Sequence, residues 1–152
     1  MLATTTLRRD IAQLLDKARI NAVDLMDQTG DPVLLYFVEM ALLEVLAQHA
    51  RLGVITNFDG RFRVIAQQLG LDRFFDPIVI SSEIGADKPH EQIFRRALQA
   101  ARVAADQALH VGDDPLCDWE GAEKVGMRVF RLQRPQVTLL DLLTSLRLSS
   151  PS

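Results

Sequence analysis

The first fifty residues combine a helical hydrophobic pattern with one short, wholly apolar run. Apolar side chains recur at helical spacing over residues 7–26, and Thr6 is placed to cap that helix. The six residues 33–38 are apolar throughout, a pattern that fits a buried strand as well as a buried helix. Residues 41–50 predict a further helix.

From residue 52 onward, short apolar strands alternate with amphipathic helices. The predicted strands are 52–56, 78–80, 109–111 and 127–132, and the predicted helices are 61–69, 91–101, 116–125 and 139–146. This alternation predicts an α/β fold, a Rossmann-like three-layer arrangement, because crossover connections put helices on both faces of a parallel sheet.

Composition and charge narrow the class of protein. The 152 residues are 48% hydrophobic and 24% charged, which is typical of one globular domain. The net charge is −3 and no basic run occurs, so nucleic acid and membrane are not expected as partners. A single cysteine, Cys117, excludes an internal disulfide and favours a reducing, cytoplasmic location.

Two polar features follow predicted strands, at the sheet edge where ligands bind in open parallel sheets. After strand 52–56, the Thr56 hydroxyl and the Asn57 backbone N–H can hold anionic oxygens. Alternatively, Thr56 ends the strand and Asn57 makes a turn. Pro89 restricts the backbone directly after Lys88. Lys88 is a compact positive charge suited to an anion pocket, or else an ordinary solvated lysine.

An acidic cluster follows the third predicted strand. Asp113, Asp114 and Asp118 fall within six residues at a strand-to-helix turn. Clustered carboxylates repel one another without a cation, and hard oxygen ligands suit Mg²⁺. Helix capping by Asp113 or Asp114 and a helix-dipole contact of Asp118 would account for one or two of these acids, but hardly for all three.

Taken together, these features resemble a known superfamily. Three of them match, in order, the second, third and fourth motifs of the haloacid dehalogenase (HAD) superfamily: Ile55-Thr56-Asn57, then Lys88-Pro89, then Gly112-Asp113 followed by Asp118. Residues 110–122 resemble in particular the group called haloacid dehalogenase-like hydrolase domain-containing protein three. The resemblance covers residues 41–132.

The resemblance implies a function for each matched residue. Thr56 and the backbone N–H of Asn57 would contact a phosphoryl group, and Lys88 would act in catalysis by balancing its charge. Asp113 would hold Mg²⁺ with support from Asp118, and Asp114 is a further candidate ligand. The implied reaction is attack by an aspartate on the ester of a small phosphorylated molecule, followed by hydrolysis of the aspartyl-phosphate.

The superfamily's first motif, an apolar strand ending in Asp-x-Asp, is missing before Thr56. Asp24 and Asp27 are three positions apart, at the end of a predicted helix rather than after a strand. Glu39 follows the apolar run, but no second acid stands two residues later. The nucleophile is therefore not found, and the chain alone is expected to be inactive.

The missing motif also removes the strand that lies mid-sheet in this fold, between those bearing Thr56 and Asp113. Unpaired strand edges in a core are unfavourable, and an exposed sheet edge predicts self-association. Residues 33–38 could fill the gap in a catalytically dead domain. Alternatively, the chain is truncated, with residues 1–40 a cap remnant, 41–148 the HAD-like core and 149–152 a loose tail.

A non-catalytic binding or assembly domain is the alternative function. The substrate and the choice between phosphatase and dehalogenase stay open.

Overall fold

The computed structural model describes residues 40, 42–134 and 136–148, in two compact units. One unit is Ala50–Thr138; of the other, residues 40, 42–49 and 139–148 are described. The predicted helix at 7–26 and the apolar run at 33–38 lie outside the described residues, and the proposed domain boundaries stay predictions. Within the described ranges, no helix is long and apolar enough to cross a membrane, and the cytoplasmic location stays a prediction.

The elements alternate as the hydrophobic pattern predicts. In chain order they are helix α1 (42–47), strand β1 (Leu52–Thr56), helix α2 (Arg61–Gln68), strand β2 (Phe75–Ile80), the short helix α3 (Ser81–Ile84), helix α4 (Glu91–Ala101), strand β3 (Leu109–Gly112), a π-helical segment (Pro115–Glu120), the short helix α5 (Gly121–Lys124), strand β4 (Arg128–Arg131) and helix α6 (Leu139–Leu148). Single 3₁₀ turns precede β2 at Asp72–Phe74 and β3 at Ala105–Gln107.

The strands pair in parallel, which confirms the α/β fold class. β1 pairs with β2, from Leu52↔Phe75 to Thr56↔Ile80, and β3 pairs with β4. Across residues 42–134, these pairs form two separate two-stranded sheets. Whether a central strand is missing from the sheet stays a prediction, because residues 1–39 lie outside the described residues.

Helix α4 packs its apolar face against both β1 and β2 and also contacts α5. Ile93 and Phe94 on this face are fully buried, and each such side chain contributes about 1.5–3 kcal/mol when removed from water. A Cβ atom at Gly121 would approach the Phe94 ring to 2.6 Å. Glycine at that position therefore permits the close contact between α5 and α4.

Strand β2 begins at Phe75, three residues before the predicted apolar strand. Leu52 pairs with Phe75 and Val54 with Ile78, so two residues of β2 stand opposite Gly53. This bulge accommodates Pro77, which cannot donate a ladder hydrogen bond. Because Asp76 and Pro77 are not typical of a strand, the apolar pattern alone missed the start of β2.

The helix predicted over residues 116–125 is an ordinary α-helix only in its second half. Its first turns are π-helical, and the backbone carbonyl of Asp114 accepts hydrogen bonds from the N–H groups of both Asp118 and Trp119. The Asp118 side chain turns inward at this widened segment. Single π turns of this kind are frequent at functional sites.

Candidate functional site

The predicted site residues lie where β1 and β3 end, and Lys88 contacts the groups that follow both strands. Thr56 is the last residue of β1 and is partly buried, while Asn57 begins the turn that follows. The start of α3 supports this turn, since Ser81 Oγ and the Ser82 N–H both donate to the Phe58 carbonyl, at 3.2 Å each.

The side chain of Asn57 holds the backbone of Lys88. Its Nδ2 donates to the Lys88 carbonyl at 3.0 Å, and its Oδ1 accepts from the Lys88 N–H at 2.7 Å. These hydrogen bonds engage the two peptide groups on either side of the Lys88 Cα atom, and together they fix the position and orientation of the Lys88 backbone. The sequence points only to the backbone N–H and the turn propensity of Asn57, because a contact between residues 31 positions apart has no local signal.

The Lys88 side chain points to Asp118. Its Nζ donates to Asp118 Oδ1 at 2.5 Å, and only 14% of the lysine side chain and 7% of the aspartate side chain are exposed. His110 Nε2 lies 3.1 Å from the same Oδ1 atom. Lysine, aspartate and histidine thus form one largely buried cluster.

The environment of Asp118 stabilises its charged form. Burial by itself would raise the pKa of this carboxyl, but hydrogen bonds from His110 and Lys88, together with the positive charge of Lys88, outweigh burial and hold the pKa well below its usual range. A third hydrogen bond comes from the backbone N–H of Asp114 to Oδ2, at 3.2 Å. Asp118 is therefore a carboxylate at neutral pH and the counter-charge of Lys88.

Gly112 leaves room for this carboxylate. A Cβ atom at Gly112 would overlap the Asp118 carboxyl group. The Gly112 carbonyl also accepts a hydrogen bond from Trp119 Nε1 at 2.8 Å, which ties the π-helical segment back to β3. Close packing against Asp118 therefore explains why the first residue of the Gly-Asp pair is a glycine.

The other two acids of the cluster differ in their surroundings. Asp114 Oδ1 accepts from the N–H groups of Leu116 and Cys117, at 2.9 and 2.6 Å, as a helix-capping residue does. Asp113 is exposed. Among the described residues, no three His, Cys, Asp or Glu side chains converge as a metal cluster. The metal-binding roles of Asp113, Asp114 and Asp118 stay predictions.

His110 is the site residue that the sequence reasoning missed. The predicted strand 109–111 groups His110 with apolar residues, although an imidazole at an inward-facing strand position needs a polar partner in the core. The alternation of buried and partly buried residues along β3 puts His110 on the same side as Gly112. A histidine two residues before the Gly-Asp pair was the available signal.

Comparison with known proteins identifies the family. The profile of the family described as haloacid dehalogenase-like hydrolase matches residues 5–132. Mouse haloacid dehalogenase-like hydrolase domain-containing protein 3 is 44% identical over 92 residues, 60% of this chain and 37% of that protein. Glyceraldehyde 3-phosphate phosphatase of Pyrococcus abyssi is 42% identical over 80 residues, 51% of this chain and 33% of that protein.

A solved structure has the same fold. The HAD-hydrolase YfnB of Bacillus subtilis, bound to magnesium, superposes with a TM-score of 0.62 at 22% identity, over 70% of this chain and 52% of that one. The chain spans between 33% and 37% of the length of the two curated relatives. Because the family profile covers most of its residues, this chain belongs to the haloacid dehalogenase-like hydrolase family.

Proposed function

We propose that this chain carries the phosphate- and metal-binding half of a Mg²⁺-dependent phosphate-ester hydrolase site. The observation that supports the proposal is the Lys88 ammonium, held by Asp118 while Asn57 holds its backbone, next to the ends of β1 and β3. A cation fixed at the carboxyl edge of parallel strands suits a bound anion. The relative from Pyrococcus abyssi, a glyceraldehyde 3-phosphate phosphatase, supports a small phosphorylated organic molecule as the substrate class.

In this proposal the residues after β1 bind the phosphoryl group. The Thr56 hydroxyl and the Asn57 backbone N–H donate to its oxygens, and the Lys88 ammonium neutralises part of their charge. These donors act without chemical change of their own, so their contribution is to orient the phosphoryl group and to stabilise the charge that develops on it.

The residues after β3 suit Mg²⁺ with one direct protein ligand. Asp113 is exposed, whereas Asp114 caps a helix and Asp118 already accepts three hydrogen bonds. Mg²⁺ commonly takes one or two carboxylates and completes its shell with water and phosphate oxygens. Asp113 would hold the ion and Asp118 would support the site through Lys88. Bound there, Mg²⁺ would neutralise phosphate charge.

The nucleophile is not among these residues, because residues 1–152 contain no Asp-x-Asp. We therefore expect the purified chain with Mg²⁺ to release no nitrophenol from p-nitrophenyl phosphate. Release that disappears in Lys88→Met would contradict this expectation and establish a complete catalyst.

The absence of Asp-x-Asp also favours a second candidate, a non-catalytic binding or assembly domain. For such a domain, no binding of phosphate at Lys88 is expected.

Replacement of Lys88 by methionine should weaken the binding of inorganic phosphate by at least about tenfold, equivalent to about 1.4 kcal/mol. Methionine keeps much of the aliphatic volume but removes the charge. Isothermal titration calorimetry would measure the affinity. Lys124→Met is the matched control, since Lys124 is exposed and lies 3.9 Å from Glu120 on the helix surface; its affinity should stay within about twofold. Equal phosphate affinity in wild type and Lys88→Met would refute the proposed pocket.

Replacement of Asp113 by asparagine should abolish the effect of Mg²⁺ on phosphate affinity, because the proposed direct ligand is lost. The measurement is phosphate titration with and without Mg²⁺. Asp106→Asn, at another exposed aspartate, is the control and should keep the full Mg²⁺ effect. An undiminished Mg²⁺ effect in Asp113→Asn would exclude Asp113 as the ligand.

A further inference from the structure

The buried residue His110 adjoins the candidate site but has no role in the phosphate and Mg²⁺ binding proposed above. We propose that His110 is a positioning residue, whose Nε2–H group holds the Asp118 carboxylate and thereby sets the position of the Lys88 ammonium. The inference rests on the proposed function in one respect, namely that the Lys88 ammonium binds phosphate. The new part is that the core of the protein sets the position of this charge.

The position of the His110 ring is fixed on two sides. Its backbone is part of the parallel ladder, paired with Val129 of β4. Its ring packs edge-on against Phe94, with ring centroids 5.3 Å apart and planes inclined at 81°. Phe94 is fully buried and His110 is 8% exposed. Core packing therefore sets the position of the His110 Nε2 atom, which does not belong to a mobile surface side chain.

His110 and Lys88 share one oxygen of Asp118. Oδ1 lies 3.1 Å from His110 Nε2 and 2.5 Å from Lys88 Nζ. Rotation of the carboxylate would therefore disturb both contacts together. Without the histidine, a single backbone N–H, that of Asp114, and the ammonium itself would hold the carboxylate by hydrogen bonds.

The expected consequence is confined to the lysine side chain. Asn57 holds the Lys88 backbone independently of Asp118, so loss of the His110 contact should leave the peptide in place and release the ammonium. The contact also requires a proton on Nε2, because a carboxylate only accepts hydrogen bonds. A neutral ring protonated at Nδ1 alone would not fit.

The test compares His110→Gln with His110→Met. The two side chains have similar volume and length, but glutamine can donate a hydrogen bond and methionine cannot. Side-chain ammonium groups are observed by NMR in ¹⁵N-lysine-labelled protein, where the lysines are Lys17, Lys88 and Lys124. The Lys88 resonance is the one lost in Lys88→Met.

In His110→Met, exchange of the Lys88 ammonium protons with water should become about tenfold faster, and phosphate affinity should fall by a similar factor. In His110→Gln, both should stay within about threefold of wild type. A merely structural role of His110 would not move the Lys88 resonance selectively. Unchanged Lys88 exchange in His110→Met, or an equal change in both variants, would overturn the inference.

Two further measurements keep the inference testable if a variant fails to fold. In the wild-type protein, the imidazole ¹⁵N spectrum should show His110 with a slowly exchanging proton on Nε2, and an Nε2 without a proton would overturn the inference. The second measurement separates it from the proposed function. If Lys88 exchange responds to His110 while wild type binds no phosphate, the positioning inference stands and the proposed function fails.

Discussion

Asp118→Asn is expected to lower the free energy of unfolding by about 3–5 kcal/mol, the cost of leaving a buried charge without its partner. Lys88 would keep its charge with only 14% of its side chain exposed. Urea denaturation at neutral pH would measure the loss. The control is Asp113→Asn without Mg²⁺, an isosteric change at an exposed residue of the same segment, expected to stay within about 0.5 kcal/mol. A loss below about 1 kcal/mol in Asp118→Asn would contradict the buried ion pair.

The same pair predicts the pH dependence of stability. The pKa of Asp118 is held far below its usual value in the folded protein, so the unfolded chain takes up a proton at higher pH than the folded one. The stabilisation is therefore complete above the unfolded pKa of about 4 and is lost as the pH falls toward the folded pKa. Wild type and Asp118→Asn should accordingly approach each other in stability between about pH 4 and 2. A difference that stays constant over this range would point to another cause.

The local features of the fold could be predicted from the sequence. β1 and α4 have the predicted bounds, 52–56 and 91–101, because a short, mostly apolar segment followed by turn residues and a regular helical stripe are both local signals. The placement of Lys88 and Asp118 near the ends of β1 and β3 also follows from chain order, since parallel strands bring their carboxyl ends to one edge.

The contacts within the site could not be predicted from local patterns. The Asn57 carboxamide meets a peptide 31 positions away, and Asp118 meets a lysine 30 positions away. Side-chain partners at that separation depend on how the sheets and α4 pack. Asp118 is the clearest case, because the acidic cluster pointed to a metal ligand and the structure pairs its carboxylate with a lysine.

Gly112 offers the strongest test of how tightly this pairing is packed. A Cβ atom there would overlap the carboxyl carbon, one carboxyl oxygen and the Cβ of Asp118. Displacing these atoms would cost free energy, because Lys88 and His110 hold the Asp118 carboxylate by hydrogen bonds. Relief would require displacing either the strand or the ion pair.

Gly112→Ala should therefore destabilise the protein by about 2–3 kcal/mol, the upper part of the usual range of about 1–3 kcal/mol for overpacking a core, and weaken phosphate binding by moving the Lys88 ammonium. Urea denaturation and phosphate titration measure the two effects. Gly60→Ala is the matched control, since a Cβ there would meet no described atom within 4 Å and the backbone φ is −58°; a change within about 1 kcal/mol is expected. If Gly112→Ala behaves like this control, Asp118 can leave Gly112 freely, and a rigid Lys88–Asp118–His110 cluster is excluded.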